Sequence, residues 1–208
     1  QAEVEAGRQK LIESIAEFHN ELLEKYIEGA EITEVEAAAA LIEGIQAGKI
    51  FPVFCGSAKA NIGIRKLMNS IVEYLPTPYF KVAIGTDPET GDIKERRTED
   101  AFSAQSFKTI VDPFVGHLSF LRVLSGEMRG DASYCHPNGT DTVRVGTLFT
   151  MRGKQQESLP SAAAGDIVVT AKLPSVRTGD SLCDKTDAIQ YEAIETPAPM
   201  LEMAATAE

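Results

Sequence analysis

Ser57-Ala58-Lys59 lies in the stretch of this chain whose residue types and spacing point most directly to ligand contact. Phe51-Pro-Val-Phe-Cys55 reads as a buried strand, Gly56-Ser-Ala58 as a tight turn, and Ile64–Leu75 as an amphipathic helix. Apolar residues at Ile64, Leu67, Met68, Ile71, Val72 and Leu75 fall on one helical face, and Pro76 and Pro78 end the run. A strand entering a small-residue turn and then a helix is an α/β unit, with its functional loop at the C-terminal end of the strand. The chemistry expected there is binding. No carboxylate pair or Ser-His-Asp arrangement stands out as a hydrolytic site, and His19, His117 and His136 are isolated from one another in sequence.

Ser57-Ala58-Lys59 resembles the last guanine-contacting motif of translational and Ras-like GTPases. Its flanks, Pro52-Val-Phe-Cys-Gly-Ser-Ala-Lys-Ala-Asn-Ile-Gly-Ile64 and Tyr74-Leu-Pro-Thr-Pro78, resemble the end of the GTPase domain of elongation factor G and its paralogues, including the tetracycline ribosomal-protection proteins. The resemblance implies that the Ala58 backbone N–H meets the guanine O6 and that Ser57 holds the turn. Many members have Leu where this chain has Lys59. The aliphatic stem of Lys59 can lie over the base, or the residue is simply a solvated charge.

The rest of the family's nucleotide machinery is missing from these 208 residues. No Gly-x-x-x-x-Gly-Lys-[Ser/Thr] loop cradles phosphates, and no Asn-Lys-x-Asp motif or Mg²⁺-holding switch segment is present. The chain therefore reads as a fragment of a longer protein. GTP or GDP with Mg²⁺ is expected in the full-length parent, with none bound by this fragment and no GTP hydrolysis by it alone.

Composition sets further bounds. A hydrophobic content of 43% supports a real core, and 25% charged residues is ordinary for a soluble protein. No apolar run approaches the roughly 18 residues of a membrane span, and no signal peptide is visible. Cys55, Cys135 and Cys183 are odd in number and far apart, each in an apolar or strand-like setting. They read as buried free thiols of a reducing, cytoplasmic compartment, with no metal-ligand spacing. Asn138-Gly-Thr140 reads as a turn.

A net charge of −11 argues against bulk electrostatic attachment to nucleic acid. The charge is uneven, however. Residues 1–36 carry ten Glu against Arg8, Lys10 and Lys25, whereas residues 101–195 carry eleven acidic and nine basic groups. A local basic face in the second half can still meet phosphate.

The supporting elements follow from periodicity. Residues 3–28 carry one apolar stripe, Leu11, Ile15, Phe18, Leu22 and Tyr26, and predict a helix that Gly29 ends. Thr33-Glu-Val-Glu36 is a capping box opening a second, Ala-rich helix that stops near Gly48. Asp87-Pro-Glu-Thr-Gly-Asp92, between Lys81–Gly85 and Asp92–Arg97, has hairpin-turn chemistry. From Ala101 short β-rich runs recur at Phe102–Val111, Gly116–Leu124, Ala132–His136, Thr142–Met151, Asp166–Leu173, Ser181–Cys183 and Ala188–Ile194. Gly, Pro and Asn punctuate them and no helix intervenes, which predicts a closed barrel or a sandwich.

A second resemblance lies here. Phe107-Lys108, Asp112-Pro-Phe-Val-Gly116, Leu118-Ser-Phe-Leu-Arg-Val123, Ser125-Gly126, Ala164-Gly-Asp-Ile167 and Thr178-Gly-Asp-Ser-Leu182 resemble, in this order, the β-barrel second domain of elongation factor G. The family's Gly-x-Leu-x-x-Gly-Asp is one residue shorter here, as Gly126-Glu-Met-Arg-Gly-Asp131, so a tighter turn is expected. The family's barrel touches small-subunit rRNA. That makes Arg122 and Arg129 candidate phosphate contacts, with Arg144, Arg152 and Lys154 behind them. The helical insert implies contact with the ribosomal stalk protein through the acidic face of residues 13–36, although a solvated face is the plain alternative. No aromatic platform for stacking single-stranded bases is evident.

The resulting expectation is an α+β, multi-domain fragment. Residues 1–78 would be the helical and α/β tail of a P-loop GTPase domain with its helical insert, and 79–99 a connecting hairpin. Residues 100–196 would be an antiparallel β-barrel, and 197–208 the start of a link to a third domain. The implied function is that of a cytoplasmic, ribosome-associated translational GTPase, with neither membrane nor DNA as partner. Two alternatives stand: a ribosomal-protection or other paralogue, towards which Asn61-Ile-Gly-Ile64 leans while Tyr74-Leu-Pro-Thr-Pro78 leans back towards elongation factor G, and a non-enzymatic ribosome- or protein-binding module.

Overall fold

The computed structural model describes residues 2–138, 142–153, 155–195, 197 and 204. Lys154, most of the 197–208 link and the second half of the Asn138-Gly-Thr140 turn lie outside the described residues. The chain divides between Phe80 and Lys81 into two compact units.

The first unit is helical: α1 (Ala2–Ala16), α2 (Asn20–Ile27), α3 (Glu34–Gln46) and α4 (Ile64–Tyr74). The single helix expected over residues 3–28 is in fact two. Phe18 N–H donates to the Ile15 carbonyl and His19 N–H to the Ala16 carbonyl, three-residue steps that end α1, and His19 is extended before α2. Packing explains the break. Ile15 and Ala16 of α1, Leu22 of α2 and Ala40 of α3 form one buried cluster. A straight helix of that length would carry Leu22 about 10.5 Å further along its axis from Ile15, so bringing both onto Ala40 requires a bend. Gly29, at φ +71°, ends α2 as expected. Ala30 N–H reaches the Lys25 carbonyl and Gly29 N–H the Tyr26 carbonyl. The capping box is present: Thr33 Oγ1 accepts from Glu36 N–H, and Glu36 Oε2 accepts from Thr33 N–H at 3.0 Å.

Residues 51–56 differ from expectation. They form no strand, and Phe51 and Val53 are 80% and 89% exposed. A strand exists only through a partner ladder, and no described residue supplies one here. Helix α4 forms where the periodicity places it. Yet its apolar face, Leu67, Met68, Ile71 and Val72, is exposed, and its buried residue is Ser70.

The second unit opens with the hairpin β1 (Ala83–Thr86) and β2 (Ile93–Arg96). Asp87 Oδ1 accepts from Glu89 and Thr90 N–H, and Gly91 takes a φ of +78° to close the turn. Among the described residues ten strands follow: β3 (Ser103–Asp112), β4 (Gly116–Ser125), β5 (Glu127–Arg129), β6 (Ser133–Tyr134), β7 (Val143–Arg144), β8 (Leu148–Arg152), β9 (Gln155–Leu159), β10 (Ser161–Ala163), β11 (Ile167–Ala171) and β12 (Ser181–Cys183). The main sheet runs β12-β3-β4-β11-β8-β9, all antiparallel, beside the pairs β10-β5 and β6-β7. Bonds from Asp131 N–H to the Gly146 carbonyl and from Val145 N–H to the Ala132 carbonyl lengthen the β6–β7 ladder, and the Cys135–Cys183 bridge joins that ladder to β12. The barrel reading rests on the interior: Ala104, Leu121, Val123, Tyr134, Val143, Leu148, Val168 and Leu182 form one buried cluster drawn from nearly every stave.

Three strand expectations change. Thr142–Met151 is two strands, parted at Val145-Gly-Thr147. Ala188–Ile194 is not a strand; only Gln190 bridges, to Thr86 of β1. Gln155–Leu159 is an unforeseen edge strand, polar and mostly exposed, so it lacks the apolar alternation that marks a half-buried strand. At the shortened turn, Gly126 takes φ +62° and Asp131 φ +54°. A Cβ on Gly126 would meet Phe102 N and Cα at 2.8 Å.

Candidate functional site

Ser57, Ala58 and Lys59 all lie exposed on a closed loop. Its neck is the bridge between Ser57 and Ile62, with Ser57 N–H donating to the Ile62 carbonyl at 2.9 Å and Ile62 N–H returning at 3.0 Å. Ser57 Oγ accepts from Ala60 N–H at 3.3 Å, and Asn61 N–H closes onto the Ala58 carbonyl at 3.2 Å. Asn61 takes φ +53°, a conformation Asn tolerates better than most residues. Below the neck, a Cβ on Gly56 would meet the Ile62 carbonyl at 2.8 Å, and one on Gly63 the Cys55 carbonyl at 2.9 Å. Both glycines are therefore needed for the approach of the two loop ends.

The consequence is a closed tip with free donors. The Ser57 hydroxyl oxygen accepts within the loop itself. Among the described residues, neither Ala58 N–H nor Lys59 N–H has an acceptor. Two adjacent unpaired amides on exposed residues can meet a carbonyl-type oxygen on a ligand. Asn61 takes the left-handed conformation that closes the tip, and the tolerance of Asn for positive φ was the sequence signal for this role.

The barrel's basic candidates do not converge. Arg122 lies exposed on β4, opposite Gln105 of β3 and Ile167 of β11. Arg129 is on β5, opposite Ser161, in a separate ladder. Its guanidinium donates to Glu127 Oε2 from Nε at 2.9 Å and from Nη2 at 2.8 Å. The Ser161 hydroxyl and Arg129 together hold the Glu127 carboxyl below its usual pKa. Arg122 is thus the more available cation. Arg144 and Arg152 are exposed on β7 and β8.

Cys55 is exposed rather than buried; Cys135 is half-buried and Cys183 buried. His136 is buried, and its Nε2 lies 3.0 Å from Asp180 Oδ2, which also accepts from Arg177 N–H. That pair ties the end of β6 to the turn before β12. No described group of His, Cys, Asp and Glu could hold a metal ion. No described helix is long and apolar enough to cross a membrane. In the first unit, α1 and α3 bound a groove of about 210 Å³ lined by Arg8, Leu11, Ile15, Ala37 and Leu41, and Glu13, Glu17, Glu21, Glu24 and Glu28 are exposed on α1, α2 and their ends.

Residues 101–185, the barrel just described, match the family model of elongation factor G domain 2. The likeness to the elongation factor G family is a likeness of the barrel domain. The chain is also similar to a solved crystal structure of a Thermus thermophilus protein. The two are 28% identical with a TM-score of 0.67, over 95% of this chain and 26% of that one. The chain spans about a quarter of the length of the solved protein it matches.

Proposed function

We propose that this chain works as part of a cytoplasmic, ribosome-bound translational GTPase of the elongation factor G type, with the Ser57–Ile62 loop as its guanine-reading element. The observation that carries this reading is the exposed tip whose Ala58 N–H has no acceptor while the Ser57 hydroxyl and Asn61 hold the turn around it. The residues fit the base end of GTP: the free amide suits the guanine O6, and Lys59 lies one step further along the tip. They do not extend to the phosphates, because the chain carries no phosphate-cradling glycine loop. When bound in the parent, GTP with Mg²⁺ supplies the phosphoryl-transfer chemistry; these residues bind and orient the base.

The exposed apolar face of α4, and exposed Phe51 and Val53, suit burial against the rest of a GTPase domain. On the barrel, exposed Arg122 provides a phosphate contact for small-subunit rRNA. The groove of α1 and α3, with its acidic surroundings, suits a stalk protein.

Co-sedimentation of the chain with ribosomes over a salt series, with and without GTP, tests this reading. The expected result is salt-sensitive binding with no response to GTP, and no GTP hydrolysis. Absence of binding at low salt would remove the barrel's role. Tight, Mg²⁺-dependent binding of a fluorescent GTP analogue by this chain would overturn the division of labour.

A further inference from the structure

Cys135 and Cys183 face each other where the barrel closes. Cys135 N–H donates to the Cys183 carbonyl at 2.8 Å and Cys183 N–H to the Cys135 carbonyl at 3.1 Å. Reciprocal bonds of this kind define a directly opposed antiparallel pair, with Cα atoms about 5.5 Å apart and both side chains on one face. That separation is inside the range of about 4.4–6.8 Å spanned by disulfides. Both thiols are free and share one apolar cluster with Ile189, Tyr191 and Leu124. Cys183 Sγ lies 4.0 Å from the Cys135 carbonyl oxygen, so this thiol is turned towards its partner's backbone.

We propose that Cys135 and Cys183 are a redox site: they form a reversible intramolecular disulfide by exchange with a small-molecule disulfide such as oxidised glutathione. This would staple β6 to β12 at the seam of the barrel. Half-buried Cys135 is the entry point. Its thiolate attacks one sulfur of the small disulfide, forming a mixed disulfide and releasing one thiolate. Cys183 then loses its proton and attacks the Cys135 sulfur. The protein disulfide forms and the second small thiolate leaves, so two protein thiols are oxidised and one small disulfide is reduced. Burial pushes the Cys183 thiol up to about 11, which makes this second step the slow one and speeds it as pH rises. Directly opposed strand positions hold Cβ atoms about 4.5–5.5 Å apart, wider than the roughly 3.5–4.5 Å of relaxed disulfides. The bond is therefore readily reduced again, as suits a responsive site rather than a permanent cross-link.

The experiment uses the full 208-residue chain with Cys55→Ser, which removes the exposed third thiol. The chain is equilibrated with graded ratios of oxidised to reduced glutathione, acid-quenched, unfolded, treated with N-ethylmaleimide and weighed intact. The expected result is a shift from two maleimides per chain to none, with a mass lower by two hydrogens and a linked Cys135–Cys183 peptide, reversed by excess reduced glutathione. In Cys135→Ala, Cys183 should stay free at the same ratios. Two maleimides at every ratio, or arrest at a glutathione adduct on Cys135, would overturn the proposal, as would an adduct on Cys183 in Cys135→Ala.

Discussion

Replacing Asp187 with Asn should loosen the hairpin from the barrel. Arg96, only 7% exposed, donates from Nη2 to Asp187 Oδ2 at 2.6 Å and to the Asp187 carbonyl at 3.0 Å. Lys94 Nζ reaches Asp187 Oδ1 at 3.1 Å, Asp87 Oδ2 at 2.7 Å and the Ala188 carbonyl at 2.9 Å. Asp187→Asn would keep the backbone acceptor but leave a buried guanidinium without its counter-charge. Removing one partner of a fully buried pair costs about 3–5 kcal/mol. The Asp187 side chain is 38% exposed, and solvent screening reduces the expected loss to about 2 kcal/mol. For a unit of this size that is a fall in Tm of about 6–10 °C. The Arg96 guanidinium, and then Lys94, hold the Asp187 carboxyl below its usual range against the opposing effect of burial. Its contribution is therefore present above the ordinary carboxylate pKa and is lost as pH falls through the depressed folded value. Thermal melts of wild type, Asp187→Asn, Arg96→Met and the double variant at pH 7 form the assay. A Tm change below about 1 °C in Asp187→Asn, or an equal loss in the Arg96→Met background, would refute the reasoning.

Other perturbations test separate parts. Gly126→Ala puts a Cβ 2.8 Å from Phe102 N and Cα at φ +62°, and should cost at least about 2 kcal/mol by urea denaturation. Thr33→Ala removes the hydroxyl that accepts from Glu36 N–H and should cost the first unit about 1 kcal/mol by circular dichroism melts. Lys25, then Thr33, lower the Glu36 carboxyl to about 2, so NMR titration should show it ionised well below pH 4, and its contribution to stability should fade as pH drops towards that value. Arg122→Glu should weaken ribosome co-sedimentation and flatten its salt dependence, while the same change at Arg129, whose guanidinium already faces Glu127, should do less.

By itself the sequence determined the local events. The capping box at Thr33–Glu36, the left-handed stop at Gly29, the Asp87–Asp92 turn and the extent of α4 all depend on residues within a few positions of one another, and all formed. The long hairpin of β3 and β4 was legible for the same reason, since two β-rich runs flank a short Asp112–Gly116 turn. The site loop was legible as a turn of small residues. Only the tertiary structure decided which of its amides remain free, because that depends on Ile62 and Asn61 folding back onto Ser57 and Ala58. Periodicity showed that α4 has an apolar face but not what covers it, and the same was true of the extended residues 51–56. The break at Phe18, the latch of Asp187 on Arg96 and the meeting of Cys135 with Cys183 were likewise decided in three dimensions. Each joins residues from different elements, and a pattern of nearest neighbours along the chain holds no information about which distant partner arrives.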